Sequence, residues 1–157
     1  MKYLVVYYSR TGNNKTIGDA IAQSLSADVD VIIDKKKRKG FLNWLRAGRD
    51  SIEEKLTEIE FEKNPQDYDT IVIGSPIWAS RLIPPLRTYL NSVNLKGKRV
   101  AFYICSQSEG YREIFPQLKS MTHESKHVGT FGITEKRFKE SDYNSELEAF
   151  IAQIKTG

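Results

Sequence analysis

What most constrains this chain is a rhythm. Short runs rich in β-branched and aromatic residues alternate five times with segments whose apolar residues recur three and four apart. The first run, 2–8, is Lys-Tyr-Leu-Val-Val-Tyr-Tyr. It has almost no polar face, which suits a strand buried on both sides of a parallel sheet. Segment 13–26 follows, with Ile17, Ala20, Ile21 and Leu25 on one helical face. Further strands are expected at 29–33, 69–74, 99–105 and 126–133. Helices are expected at 41–56 (Leu42, Leu45, Ile52, Leu56), 81–93, 110–119 and 143–154 (Leu147, Phe150, Ile151, Ile154). Pro84 and Pro85 are compatible with the third of these only in its first turn.

Strands separated by helices pair in parallel through right-handed crossovers. The expected fold is therefore α/β: a three-layer, doubly wound, five-stranded parallel sheet of order 2-1-3-4-5, forming one domain over 1–157. A length of 157 residues suits one domain and is enough to bury a core without disulfides or structural metal. No apolar run approaches the ~20 residues that cross a bilayer. The basic, apolar N-terminus resembles a signal peptide, but it runs into Ser9-Arg10-Thr11-Gly12 without an Ala-x-Ala-like cleavage site, and is read as the first strand. Cys105 is the only cysteine, so no intramolecular disulfide forms and a cytoplasmic location is expected.

In such sheets ligands sit beyond the carboxyl ends of the strands, at the switch between strands 1 and 3. Three loops lie there. The first, Ser9-Arg10-Thr11-Gly12-Asn13-Asn14-Lys15-Thr16, joins a buried strand to a helix N-terminus, where hydroxyls, amides and free N–H groups make an anion site. Gly12 allows the tight turn. Neither the Walker spacing nor Gly-x-Gly-x-x-Gly is present, which leaves a phosphomonoester-sized cradle. A capped turn with no ligand accounts for this loop alone equally well. The second loop is Gly74-Ser75-Pro76-Ile77-Trp78-Ala79-Ser80-Arg81, running on to Pro84-Pro85. Its Trp suits the wall of a slot for a planar ring, or a cover over the helix below. The third, Ser106-Gln107-Ser108-Glu109-Gly110-Tyr111, offers amides and hydroxyls to the polar edge of a heterocycle; Tyr111 reads either as a second stacking group or as helix packing.

Phosphate, planar ring and heteroatom edge along one face resemble the flavodoxin family. The likeness rests on Tyr8 to Thr16, on Gly74-Ser75-Pro76-Ile77-Trp78 with Pro84-Pro85, and on the segment after Cys105; it covers nearly the whole chain. No insertion splits the fifth strand, as in the short-chain type. The resemblance implies non-covalent FMN. Ser9, Arg10, Thr11, Gly12, Asn13 and Asn14 would hold the ribityl phosphate. Ser75, Pro76, Ile77, Trp78 and Ala79 would flank the isoalloxazine, with Trp78 stacking. Ser106, Gln107, Ser108 and Gly110 would hold the pyrimidine edge. It implies an electron-transfer protein whose chemistry resides on the flavin, with no catalytic side chain. The alternative is a two-electron FMN-dependent oxidoreductase, of the quinone reductase or quinone-linked protoporphyrinogen oxidase type. A second alternative is a non-redox binding module.

Three departures bear on that choice. Asn14 stands where the family has Thr or Ser, and its amide is expected to donate to phosphate in their place. Ala79-Ser80 stands where electron carriers often have a glycine that lets a peptide turn over on reduction, so the resemblance implies weaker support for single-electron steps. Electron carriers of the family are acidic, whereas this chain has a formal net charge of +4. Arg10, Lys15 and Arg81 near the site would raise the two-electron potential and attract anions.

The densest basic run, Lys35-Lys36-Lys37-Arg38-Lys39 with Arg46 and Arg49, reads as a solvated helix entrance, a docking surface for an acidic redox partner, or a contact for an anionic membrane surface. No nucleic-acid motif accompanies it, so nucleic acid is not an expected partner. The expected partners are a redox protein or a small acceptor. Cys105 reads as a packed thiol. His123 and His127 lack a nearby carboxylate cluster, and no metal site is expected.

Overall fold

The computed structural model describes residues 1–36, 49 and 56–157. The main sheet is built from β1 (Tyr3–Tyr7), β2 (Asp28–Val31), β5 (Thr70–Ser75), β8 (Arg99–Ser106) and β9 (Lys126–Thr134). Their order is β2-β1-β5-β8-β9 and every pairing is parallel, which is the expected 2-1-3-4-5 arrangement.

Alternation along each strand sends side chains to two cores. Val5, Tyr7, Val72, Ala101, Tyr103 and Phe131 face α1 (Asn13–Leu25) and α5 (Asn144–Thr156), which contribute Ile17, Ile21, Leu25, Leu147, Phe150 and Ile154. Leu4, Val6, Ile71, Ile73, Phe102 and Ile104 face α2 (Pro84–Ser92) and α3 (Tyr111–Met121), with Leu86, Tyr89, Ile114 and Leu118. Two residues on the first face let α1 approach closely. A Cβ on Gly74 would lie 1.9 Å from Tyr103 Cζ, and one on Gly18 would lie 2.4 Å from Tyr103 Oη. The Tyr103 ring fills both spaces, and its hydroxyl donates to the Asn14 carbonyl at 2.8 Å.

The structure differs from expectation in its small elements. The second strand ends at Val31, and the chain turns into β3 (Ile33–Asp34), which pairs antiparallel with β4 (Ile59–Glu60). Buried Asp30 anchors this excursion: its carboxylate accepts the Lys63 N–H at 2.8 Å and the Glu62 N–H at 3.1 Å. Lys35 pairs with Glu58 at 2.6 Å and Glu60 at 3.2 Å. The helix expected over 41–56 lies outside the described residues, apart from Arg49 and Leu56, as do positions 37–39 of the basic run. The helix expected from 81 begins at Pro84. Ile83 precedes it in extended conformation (φ −72°, ψ 147°), because a residue before proline avoids the helical region. Arg81–Leu82 instead forms β7, which pairs with β6 (Ile77–Trp78). A short helix, α4 (Glu135–Lys139), follows β9 directly. No helix among the described residues is long and apolar enough to cross a membrane.

Candidate functional site

The first loop is shaped by Ser9. Its Oγ accepts the N–H groups of Gly12 and Lys15, both at 3.2 Å, while Gly12 caps α1 at φ 96°. The first N–H groups of a helix have no intrahelical acceptor. With that of Lys15 taken by Ser9, those of Asn13 and Asn14 remain at the end of a 13-residue helix dipole. Two adjacent N–H groups there make an anion cradle. The Ser9 hydroxyl hydrogen and the exposed Thr11 can add to it. Lys15 is turned along the helix to Asp19, at 2.5 Å.

Asn14 does not present its amide to this cradle, contrary to expectation. It is 3% exposed; its Nδ2 donates to the Cys105 carbonyl at 3.1 Å, and its Oδ1 accepts the Cys105 N–H at 3.0 Å. The reason lies in the sheet. β5 pairs with β8 only as far as Ser75 opposite Ile104, whereas β8 continues to Ser106. The Asn14 carboxamide, donor and acceptor at once, takes both peptide groups of Cys105 and ties the first loop to the third.

The second loop is a closed hairpin. Trp78 pairs with Arg81, and the two connecting residues, Ala79 (φ 50°) and Ser80 (φ 53°), are both left-handed. This turn matches the twist of a hairpin but favours Gly and Asn. With Ala and Ser it costs about 1–2 kcal/mol per residue. Surrounding contacts hold it. The Trp78 indole meets Tyr8 edge-on, with centroids 5.7 Å apart and planes at 81°, and is 8% exposed. Ser80 sits against Gly110, where a Cβ would lie 2.9 Å from Ser80 Oγ. Gly110 thus admits the hairpin rather than lining the site.

In the third loop, Ser106 Oγ donates to the Ser108 carbonyl at 2.8 Å. Tyr111 is a packing residue: it covers Gly132, where a Cβ would lie 2.2 Å from its ring, and leans on Phe115.

The three loops enclose a cavity of about 580 Å³. Of the residues expected at the site, Arg10, Thr11, Asn14, Pro76, Ile77, Trp78, Ala79, Ser106, Gln107 and Ser108 line it. Ser9, Gly12, Asn13, Ser75 and Gly110 are not among the lining residues. Ser80, Cys105, Arg49 and Glu135 also line it. Glu135 escaped the sequence reading because it follows the fifth strand, outside the three loops that the switch-point rule singles out. Burial, and secondarily the Glu135 charge, push the Cys105 thiol up to about 12, so it stays protonated and packed. His127 Nε2 lies 2.8 Å from Thr122 Oγ1 at the opposite end of the strands.

The cavity fits FMN by size, because ligand pockets span about 300–1,000 Å³. It fits by chemistry through the start of α1 at Thr11 and Asn14, its indole wall and its polar third loop. The flavodoxin family model matches residues 2–129, and the chain belongs to that family, whose cofactor is FMN. No curated protein matches it. The solved structures it resembles include a flavoprotein in complex with FMN from Lactobacillus acidophilus NCFM, with TM-score 0.74, 20% identity, 95% of this chain and 97% of that one. Another is oxidised flavodoxin 2 from Bacillus cereus, with TM-score 0.56, 20% identity, 98% of this chain and 99% of that one. An NADH:FMN oxidoreductase in its apo form gives TM-score 0.67, 13% identity, 98% of this chain and 88% of that one. At these identities the likeness shows the fold.

Proposed function

We propose that this chain binds FMN in the three-loop cavity and passes electrons through it, in the cytoplasm, to a redox protein or a small acceptor. One observation carries the reading: Thr11 and Asn14 at the start of α1, the Trp78 wall and the Ser106–Ser108 loop line a single cavity at the switch between β1 and β5. FMN supplies the redox chemistry when bound; the residues here bind and orient it and set its electrostatic surroundings. The first-turn N–H groups of α1 would hold the phosphate, and Trp78 the ring.

Titrating the purified protein with FMN tests this. Binding is expected to quench flavin fluorescence, and Trp78→Ala is expected to weaken it about tenfold, the loss of one good stacking contact. FAD, with its bulky adenosine, is expected to bind more weakly. Flavin absorbance and fluorescence left unchanged at high micromolar FMN overturn the reading.

Two observations favour a second reading, a two-electron oxidoreductase acting on a quinone-like or other small acceptor. Arg10 and Arg49 put positive charge in the cavity wall, and Ala79-Ser80 already occupies a left-handed turn closed by the β6–β7 pairing. An anaerobic titration with dithionite separates the two. Reduction in two resolved one-electron steps supports a carrier, and a single paired step supports the oxidoreductase.

A further inference from the structure

Arg10 belongs to the phosphate loop by sequence but not by position. Its guanidinium Cζ lies 6.0 Å from the centroid of the Trp78 indole, and both residues line the cavity. A cation at that distance is held by the negative face of the ring. The indole is itself fixed by Tyr8, so the guanidinium is anchored at the ring wall. Lys15, five residues further on, pairs with Asp19. Arg10 forms no ion pair among the described residues. Among the described residues, Glu135 is the one acid that lines the cavity with Arg10.

We infer that Arg10 is a ring-side charge rather than a phosphate ligand, and that it makes this cavity prefer the reduced form of the flavin. The inference rests on the FMN reading above. Dithionite delivers two electrons and the medium one proton, so the reduced ligand carries one more negative charge than the oxidised one. A half-buried cation beside the ring attracts that added charge and leaves the phosphate, already anionic in both forms, with the helix N–H groups.

The test is anaerobic binding of three ligands: oxidised FMN, dithionite-reduced FMN and oxidised riboflavin, which lacks the phosphate. Wild type is compared with Arg10→Gln, which keeps a planar amide and removes the charge, and with Arg10→Lys, which keeps the charge. Arg10→Gln is expected to weaken reduced FMN about tenfold more than oxidised FMN. The ratio of FMN to riboflavin affinity is expected to stay within about threefold of wild type, and Arg10→Lys to restore most of the preference for reduced FMN. If Arg10→Gln weakens FMN but spares riboflavin, Arg10 is a phosphate ligand and the inference falls. If both oxidation states weaken equally, the residue only packs, and it falls again. A wild-type protein that takes up neither form of FMN overturns the cofactor reading, and this assignment with it; the other outcomes overturn the assignment alone.

Discussion

Replacing Asn14 tests the tie between the first and third loops. Asn14→Ala removes both hydrogen bonds to Cys105 and leaves that residue's N–H and C=O without partners in a position 1% exposed. A buried peptide group left unsatisfied costs about 1–3 kcal/mol. With some relief from water entering beside the cavity, the pair amounts to about 3 kcal/mol. For a domain of this size that lowers the melting temperature by about 6–12 °C. Urea unfolding of the flavin-free protein measures it without involving the cofactor. Asn14→Asp sharpens the argument. An ionised carboxylate sets acceptor against acceptor at the Cys105 carbonyl, so this variant should be at least as unstable as the alanine one at neutral pH. A protonated acid restores a donor beside an acceptor. Its folded pKa is therefore raised above the ordinary value of about 3.9, and its deficit against wild type should shrink as pH falls toward that value. Asn14→Thr should fall between wild type and alanine, since one hydroxyl cannot serve both groups well. A loss below about 1 kcal/mol in the alanine variant, or an aspartate variant as stable as wild type at pH 7, refutes the reasoning.

Two further outcomes follow from the same structure. Replacing Ala79-Ser80 by Asn-Gly relieves two left-handed residues and should stabilise the flavin-free protein by about 1 kcal/mol or more, read as a higher urea midpoint; a lower midpoint would show that the Ser80 contact with Gly110 outweighs the backbone strain. Alkaline pH should destabilise the fold. Burial raises the Cys105 thiol from 9.0 to about 12 and the Tyr68 phenol from 10.0 to about 12, and raises Tyr7 and Tyr103 as well. Above pH 9 the unfolded chain gives up protons that the folded one keeps, so stability is full below that pH and falls as pH rises toward 12. A urea midpoint that is level or rising between pH 8 and pH 10.5 contradicts this.

The parallel sheet was legible because its strands leave no polar face. Runs such as Leu4-Val5-Val6-Tyr7 admit few other placements, and intervening helices force parallel pairing. The small hairpins were not legible, since strands of two residues carry no periodicity. Ile77-Trp78 and Arg81-Leu82 pair only because the turn between them is tolerated by contacts with Tyr8 and Gly110, which are distant in sequence. The loops of the site were legible through the switch-point rule, but the atoms they offer were not. Asn14 looks like a phosphate donor until one knows that β8 outruns β5 and leaves a peptide to be satisfied.

The same accounting of donors defines the site. Ser9 consumes the N–H groups of Gly12 and Lys15, Cys105 consumes the Asn14 amide, and Asp19 consumes the Lys15 charge. What the start of α1 itself leaves for an anion is neutral: two helix N–H groups and nearby hydroxyls. The first loop's unneutralised cation, Arg10, is spent at the ring wall beside Trp78. On the proposed reading, phosphate recognition and redox tuning fall to different atoms of one short loop. A substitution at Arg10 should alter the second while sparing the first, and one that turned the Asn13 and Asn14 N–H groups away should do the reverse.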